Sequence, residues 1–319
     1  MAEALAAPAV RLDPRKFQDP LVTAAGERRA RVALKSLDTL WFNTGTLCNL
    51  TCRHCYIESS PRNDRLVYLS AAEIAVYLDE IEYLGLGTNL IGFTGGEPFM
   101  NPALPAMLEI ALARGFRTLV LTNAMKPMAK MKPALVVLRQ RHGERLQIRV
   151  SLDHYGRRVH EEERGRRSWR PTLDGLLWLA ANGFAVSVAS RRLSGESEAE
   201  IRSGFARLFA ELGLTIDADD PMALTVFPEM DPEADVPEIT EECWGLLGKS
   251  PEDVMCAGSR MVVRFKGAAR PSVIACTLLP YDPRFDLGPT LAGARGPVAL
   301  NHPHCAKFCV LGGGACSRG

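Results

Sequence analysis

Three thiols in one short loop, Cys48, Cys52 and Cys55 in the string CNLTCRHCY, constrain this chain more than any other feature. The spacing C-x3-C-x2-C brings three metal ligands into one small volume. A structural zinc site is closed by four protein ligands, and so is a fully protein-ligated cubane cluster. Three thiolates alone suit a [4Fe–4S] cluster that keeps one iron open to bind something else. In isolation His54 could instead complete a tetrahedral zinc site, and buried core thiols are the blander alternative.

The loop follows a strand signal, DTLWFNTG from Asp38, and further strand and helix signals alternate after it. Ser70 and Glu73 form a capping box ahead of Ile74, Leu78, Ile81 and Leu84, an apolar stripe at helical spacing. NLIGFT then runs into Gly95-Gly96-Glu97-Pro98, and a helix through Leu104, Leu108, Ile110 and Leu112 follows. The strand TLVLTNA, a helix near Lys132 to Gln140, then QIRVSLD, TLDGLLWLAANG, FAVSVAS, EIRSGFARLFAELG and LTIDA continue the series. Roughly six β-then-α units of this kind predict an α/β fold, a partial (β/α)6 barrel. The expected organisation is an N-terminal extension over 1–37, the barrel over 38–220, and a small irregular domain over 221–319. That last stretch opens on the Pro-rich, acidic FPEMDPEADVPEIT, a solvated linker or a substrate lid, and it holds most of the remaining cysteines.

Composition narrows the partners. The formal net charge of +1 demands neither nucleic acid nor an anionic membrane, and no apolar run is long enough to span a bilayer. The nine cysteines are an odd number and no secretion signal precedes them, which favours metal binding in a reducing, cytoplasmic setting over disulfides.

Active sites of such barrels lie at the C-terminal ends of the strands. The cysteine loop, Gly95-Gly96-Glu97, Asn123 and Asp153 each follow a predicted strand, so they converge on one rim. With these residues in view, the chain resembles the radical S-adenosylmethionine (SAM) superfamily, whose signature is a C-x3-C-x-aromatic-C loop after the first barrel strand. Cys48, Cys52 and Cys55 match it, with His54 in the aromatic slot and Tyr56 just beyond. The resemblance covers about residues 38–220 and implies a SAM-binding [4Fe–4S] cluster. It implies that Gly95, Gly96 and Glu97 receive the methionine ammonium, and that Ser151 and Asp153 bind the ribose hydroxyls. Arg164 resembles an arginine that pairs with the SAM carboxylate, although Arg157, Arg158, Arg166, Arg167 and Arg170 around it equally suit a solvated basic face. Asn123 touches the cofactor or caps its strand.

The C-terminal part carries Cys243, Cys256, Cys276, Cys305, Cys309 and Cys316. This arrangement is similar to the SPASM and shorter twitch extensions of radical SAM enzymes, in which four such cysteines bind an auxiliary [4Fe–4S] cluster. Cys256, Cys276, Cys305 and Cys309 are the chosen ligands, with Cys316 as a substitute and His302 or His304 open to recruitment. Zinc is the alternative occupant. Cys243, beside Trp244, reads as a core thiol, as Trp41, Trp169 and Trp178 read as core aromatics.

The resemblance implies reductive SAM cleavage to a 5′-deoxyadenosyl radical and hydrogen abstraction, with the auxiliary cluster accepting an electron and an external donor such as flavodoxin or ferredoxin supplying one. The substrate is a peptide or a small molecule. Only about 37 residues precede the first strand, which argues mildly against leader-guided peptide maturation. The rival reading is a non-catalytic iron–sulfur electron carrier or zinc protein, which would have no use for the Gly-Gly-Glu turn and Asp153 on the same rim.

Overall fold

Strand β1 (Arg31–Val32) precedes β2 (Thr39–Asn43), every residue of which is buried. Successive strand residues point to opposite faces, so β2 feeds two cores: Leu40 and Phe42 pack toward the helices, Trp41 toward the C-terminal segments. The computed structural model describes residues 11–193, 195–228, 231 and 233–314, and Cys316 lies outside them.

Helix α1 (Ala71–Leu84) begins at the expected capping box, with Ser70 and Glu73 bonding each other's amides. Ile74, Leu78 and Ile81 form its buried stripe, and Gly85 ends it in the left-handed conformation. The alternation runs on through β3 (Leu90–Thr94), α2 (Leu104–Ala113), β4 (Arg117–Thr122), α3 (Lys126–Lys130), α4 (Lys132–His142) and β5 (Leu146–Ser151). It continues with α5 (Arg157–Arg164), α6 (Trp169–Ala181), β6 (Ala185–Arg191), α7 (Glu198–Glu211) and β7 (Leu224–Phe227). Strands β2 to β7 pair in parallel in chain order, Thr39 facing Leu90 and Leu90 facing Arg117. The fold is the partial α/β barrel that the sequence predicts.

The sixth barrel strand is not LTIDA but β7, ten residues further on. Aspartates turn the intervening chain instead. Asp217 Oδ1 accepts from the Asp219 amide at 2.9 Å and Asp220 Oδ1 from the Met222 amide at 2.8 Å. Such local bonds compete with a strand ladder.

Helix α8 (Cys243–Leu247) leads to β8 (Ser259–Val263), which pairs in parallel with β2, and β9 (Ser272–Ile274) pairs antiparallel with β8. The sheet therefore has eight strands, and residues beyond 220 join it at both ends. Strand β10 (Val298–Ala299) pairs with β1, and the buried Arg29 guanidinium pairs with Glu238 and donates to the Leu300 carbonyl. Residues 11–37 are thus fastened to the C-terminal part. Cys243 is half-buried against the second core, its sulfur accepting from the Thr240 amide at 3.3 Å. Trp41 is fully buried, whereas Trp169 and Trp178 pack at the edge of the first core.

The Trp41 indole lies on Gly92, where a β-carbon would sit 2.2 Å from the ring. Gly92→Ala is expected to lower stability by about 1–3 kcal/mol through overpacking. Urea unfolding of the metal-free protein checks this, and an unchanged midpoint would contradict the packing argument.

Candidate active site

The cysteine loop is held by backbone. Gly96 N–H donates to the Gly45 carbonyl at 2.8 Å, and Glu97 N–H to the Leu47 carbonyl at 3.1 Å. Side chains at the two glycines would prevent this. A β-carbon at Gly96 would lie 2.3 Å from the Leu47 carbonyl oxygen, and one at Gly95 (φ +141°) 2.5 Å from that of Gly45. Cys48 N–H then bonds the Ser60 carbonyl, closing the loop behind the thiols.

Glu97 has a different place from the expected one. Its side chain is buried and does not line the cleft that the other rim residues share. Oε1 accepts from Thr122 Oγ1 at 2.7 Å and the Phe99 amide at 3.2 Å, and Oε2 from the Asn123 amide at 2.8 Å. The carboxylate ties the end of β3 to the end of β4. Burial, partly offset by these donors, pushes its pKa up to about 7.

The cleft encloses about 1040 Å³, part of it open to solvent. Cys48, Cys52, Cys55, His54 and Tyr56 line one side, and Gly95, Gly96, Asn123, Ser151, Asp153 and Arg164 line it from the next three strand ends and α5. All the rim candidates except Glu97 are therefore brought together. Of the two roles considered for Asn123, the cap is formed: its Oδ1 accepts from the Met125 amide at 3.1 Å, while its Nδ2 donates to Asn49 Oδ1 in the cysteine loop at 2.9 Å.

Asp153 and Arg164 face each other. Arg164 Nε donates to Oδ2 at 2.7 Å and Nη2 to Oδ1 at 3.0 Å, both side chains nearly buried. This bidentate pair separates Arg164 from the solvated basic face, where Arg157, Arg158 and Arg170 make exposed pairs with carboxylates one turn along their helices. Both bonds are made by Nε and Nη2, so Nη1 is not engaged by Asp153.

Two residues that hold the cysteine loop escape the sequence reading. Glu163, buried on α5, accepts from the His54 amide at 2.9 Å and lies 2.6 Å from His54 Nδ1, while its carbonyl accepts from the Arg53 amide. Arg191, at the end of β6, donates to Glu163 Oε1 at 2.9 Å and to the His54 carbonyl at 3.1 Å. The pair fastens the cysteine loop to the far side of the cleft. Glu163 stands in HEEERG beside Arg164, but nothing in that string distinguishes it from its acidic neighbours.

Burial pushes the Cys48 thiol up to about 12 and Cys52 up to about 11, the latter against the pull of Arg164. Thiols held this way are poor nucleophiles at neutral pH but become thiolates when a soft cation displaces the proton.

A second, smaller cavity of about 370 Å³ is lined by Cys256, Cys276, Cys305 and Cys309, with His304. Cys305 and Cys309 stand on a π-helical segment, Cys305–Leu311. His302 packs against Phe285 and His304 and does not line the cavity. Leu278 lines both this cavity and the cleft. Among the described residues no three His, Cys, Asp or Glu side chains converge on the scale of a single metal ion. An all-thiol donor set around a cavity fits a cluster, which spreads its ligands wider than one ion does.

An open parallel α/β barrel with three thiols on its rim is a frame with the donor set for an iron–sulfur cluster. Residues 42–203 match the family model described as the radical SAM superfamily, and the chain belongs to that superfamily. It is 32% identical over 143 residues to the antilisterial bacteriocin subtilosin biosynthesis protein AlbA of Bacillus subtilis, spanning 44% of this chain and 30% of that protein. Mycofactocin maturase MftC of Mycobacterium tuberculosis is 27% identical over 191 residues, 59% of this chain and 46% of that one. The chain thus spans less than half the length of these relatives. The fold also resembles the crystal structure of Streptococcus suis SuiB bound to precursor peptide SuiA, with a TM-score of 0.58 at 13% identity, covering 80% of this chain and 63% of that one. No helix among the described residues is long and apolar enough to cross a membrane.

Two outcomes follow for the metal-free protein. The Glu97 pKa is higher folded than unfolded, so its contribution to stability is full below about pH 4.5 and is lost as pH rises through about 7. Denaturant titrations between these limits will show the parent losing stability relative to Glu97→Gln as pH rises, the difference between the two isolating this carboxyl from the buried histidines. Glu163→Ala leaves the Arg191 charge buried and unpaired, and is expected to cost about 3 kcal/mol or more. A melt within a degree of the parent would contradict it.

Proposed function

We propose that the protein reductively cleaves SAM and abstracts hydrogen from a peptide substrate, with the second thiol set carrying an auxiliary cluster. The carrying observation is that the three-cysteine cleft and the four-cysteine cavity share a wall at Leu278. Cys48, Cys52 and Cys55 would hold a [4Fe–4S] cluster, and Cys256, Cys276, Cys305 and Cys309 a second one. Bound there, the first cluster and SAM supply the 5′-deoxyadenosyl radical, the electron coming from an external low-potential iron–sulfur or flavin protein.

The chain's own residues position and shield. Gly95 and Gly96 hold the loop, and their strand end offers backbone carbonyls to the SAM ammonium. Arg164, kept in place by Asp153, directs a free N–H toward the SAM carboxylate. With Asp153 engaged by Arg164, Ser151 is the freer of the two candidates for the ribose hydroxyls. Leu121, Ala189, Phe227, Leu278 and Phe308 give the cleft an apolar wall that keeps water from a radical. One electron leaving the substrate radical would pass toward the cavity behind Leu278, a net oxidation. Peptide as the substrate class is supported by the maturase and bacteriocin-biosynthesis relatives and by the peptide-bound structure of similar fold.

After anaerobic reconstitution the protein is expected to bind about eight iron atoms per chain and, with dithionite, to release 5′-deoxyadenosine from SAM. Cys52→Ala should abolish that product. Product persisting in Cys52→Ala sinks the mechanism, and iron near four removes the auxiliary cluster. Stimulation of turnover by nucleotides or sugars, but by none of a set of candidate precursor peptides, overturns the peptide assignment.

A further inference from the structure

Arg260 is a buried cation that no described carboxylate pairs with. It sits on β8, is 1% exposed, and gives all its hydrogen bonds to neutral carbonyls. Nε donates to Ala294 at 3.0 Å, Nη1 to Cys256 at 2.6 Å and Ser259 at 2.8 Å, and Nη2 to Gly296 at 3.5 Å. Among the described residues no carboxylate forms an ion pair with it. Arg29, Arg164 and Arg191, by contrast, each pair with an acid. Carbonyl dipoles solvate a guanidinium but do not neutralise it, and an uncompensated buried charge is costly.

The side chains that would act on Arg260 as anions, once deprotonated, are Cys256 and Cys276, two of the four thiols around the second cavity. A cluster held by four thiolates carries net negative charge, and reduction adds one more unit. We propose that Arg260 is the built-in counter-ion of the auxiliary cluster: a fixed positive charge, tethered to the carbonyl of Cys256, that makes this cluster easier to reduce. The inference rests on the auxiliary-cluster reading above and adds its electrostatic partner. The step it assists is one-electron: the oxidised cluster gains an electron from the substrate radical, or from dithionite in the assay. No proton is transferred, because a guanidinium does not titrate in this range. A nearby positive charge is one of the means by which a protein sets cluster potential.

The test uses the full chain with Cys48, Cys52 and Cys55 all changed to Ala, so that only the second cluster can assemble. Iron and sulfide are counted, and the midpoint potential is followed by electron paramagnetic resonance in this background and with Arg260→Gln or Arg260→Lys added. Arg260→Gln is expected to disfavour reduction at least tenfold, about 59 mV downward for one electron, while Arg260→Lys stays near the parent. An unchanged potential in Arg260→Gln, or an equal shift in both variants, overturns the counter-ion role and leaves the cluster assignment standing. A parent that binds no iron overturns the cluster assignment itself and this inference with it. If Arg260→Gln fails to hold a cluster, Arg260→Lys decides: parent-like potential supports the role of charge, and loss of the cluster there too overturns it.

Discussion

Everything on the rim depends on the close approach of two backbones. The turn after β3 lies against the loop after β2, amide to carbonyl, at Gly96–Gly45 and Glu97–Leu47. The contact fixes where Cys48 emerges and therefore where any metal must sit. The glycines that permit it, and the Glu97 carboxylate buried beneath them, form one unit that joins three consecutive strand ends. The carboxylate serves this unit by staying out of the cleft.

Around the cleft the fixed charges neutralise one another. Asp153 pairs with Arg164 and Glu163 with Arg191, all four side chains largely buried. Both acids lie within two residues of a strand end or on α5, so ion pairs tie β5 and β6 to α5, and Glu163 and Arg191 carry the tie to the cysteine loop through hydrogen bonds to His54. Buried pairs of this kind add modestly to net stability but penalise every wrong arrangement. The second cavity is built on the opposite plan, apolar walls and thiols, with Arg260, which pairs with no described acid, beside two of them and Arg284, already paired with Asp282, acting on Cys305.

Local features were legible in the chain itself. The Ser70 capping box, the apolar runs of β2 to β6 and the rim positions of Asn123, Ser151 and Asp153 rest on short-range periodicity and turn chemistry, and the fold follows from them. What escaped notice rests on distance. The pairing of β8 with β2 joins residues separated by more than half the chain, and no local pattern announces it. Glu163 is one acid among three in HEEERG, singled out only because α5 is turned toward His54. LTIDA carries apolar residues like a strand, but Asp217 within it and Asp220 just beyond bond the local backbone. Arg260 looks like any strand-flanking arginine until its neighbours prove to be carbonyls.

The pairing of β8 with β2 also bears on how the chain avoids association. A half-barrel has two open margins, and a bare strand margin is a template for other chains. On the β2 side β8 covers that margin, and the new border is β9, three residues long. On the other side the border is β7, four residues long. The strand that leads into the first thiols is therefore shielded by the segment that bears the second. Loss of that segment would remove a set of ligands and also strip the cover from β2, leaving an adhesive border next to the cysteine loop.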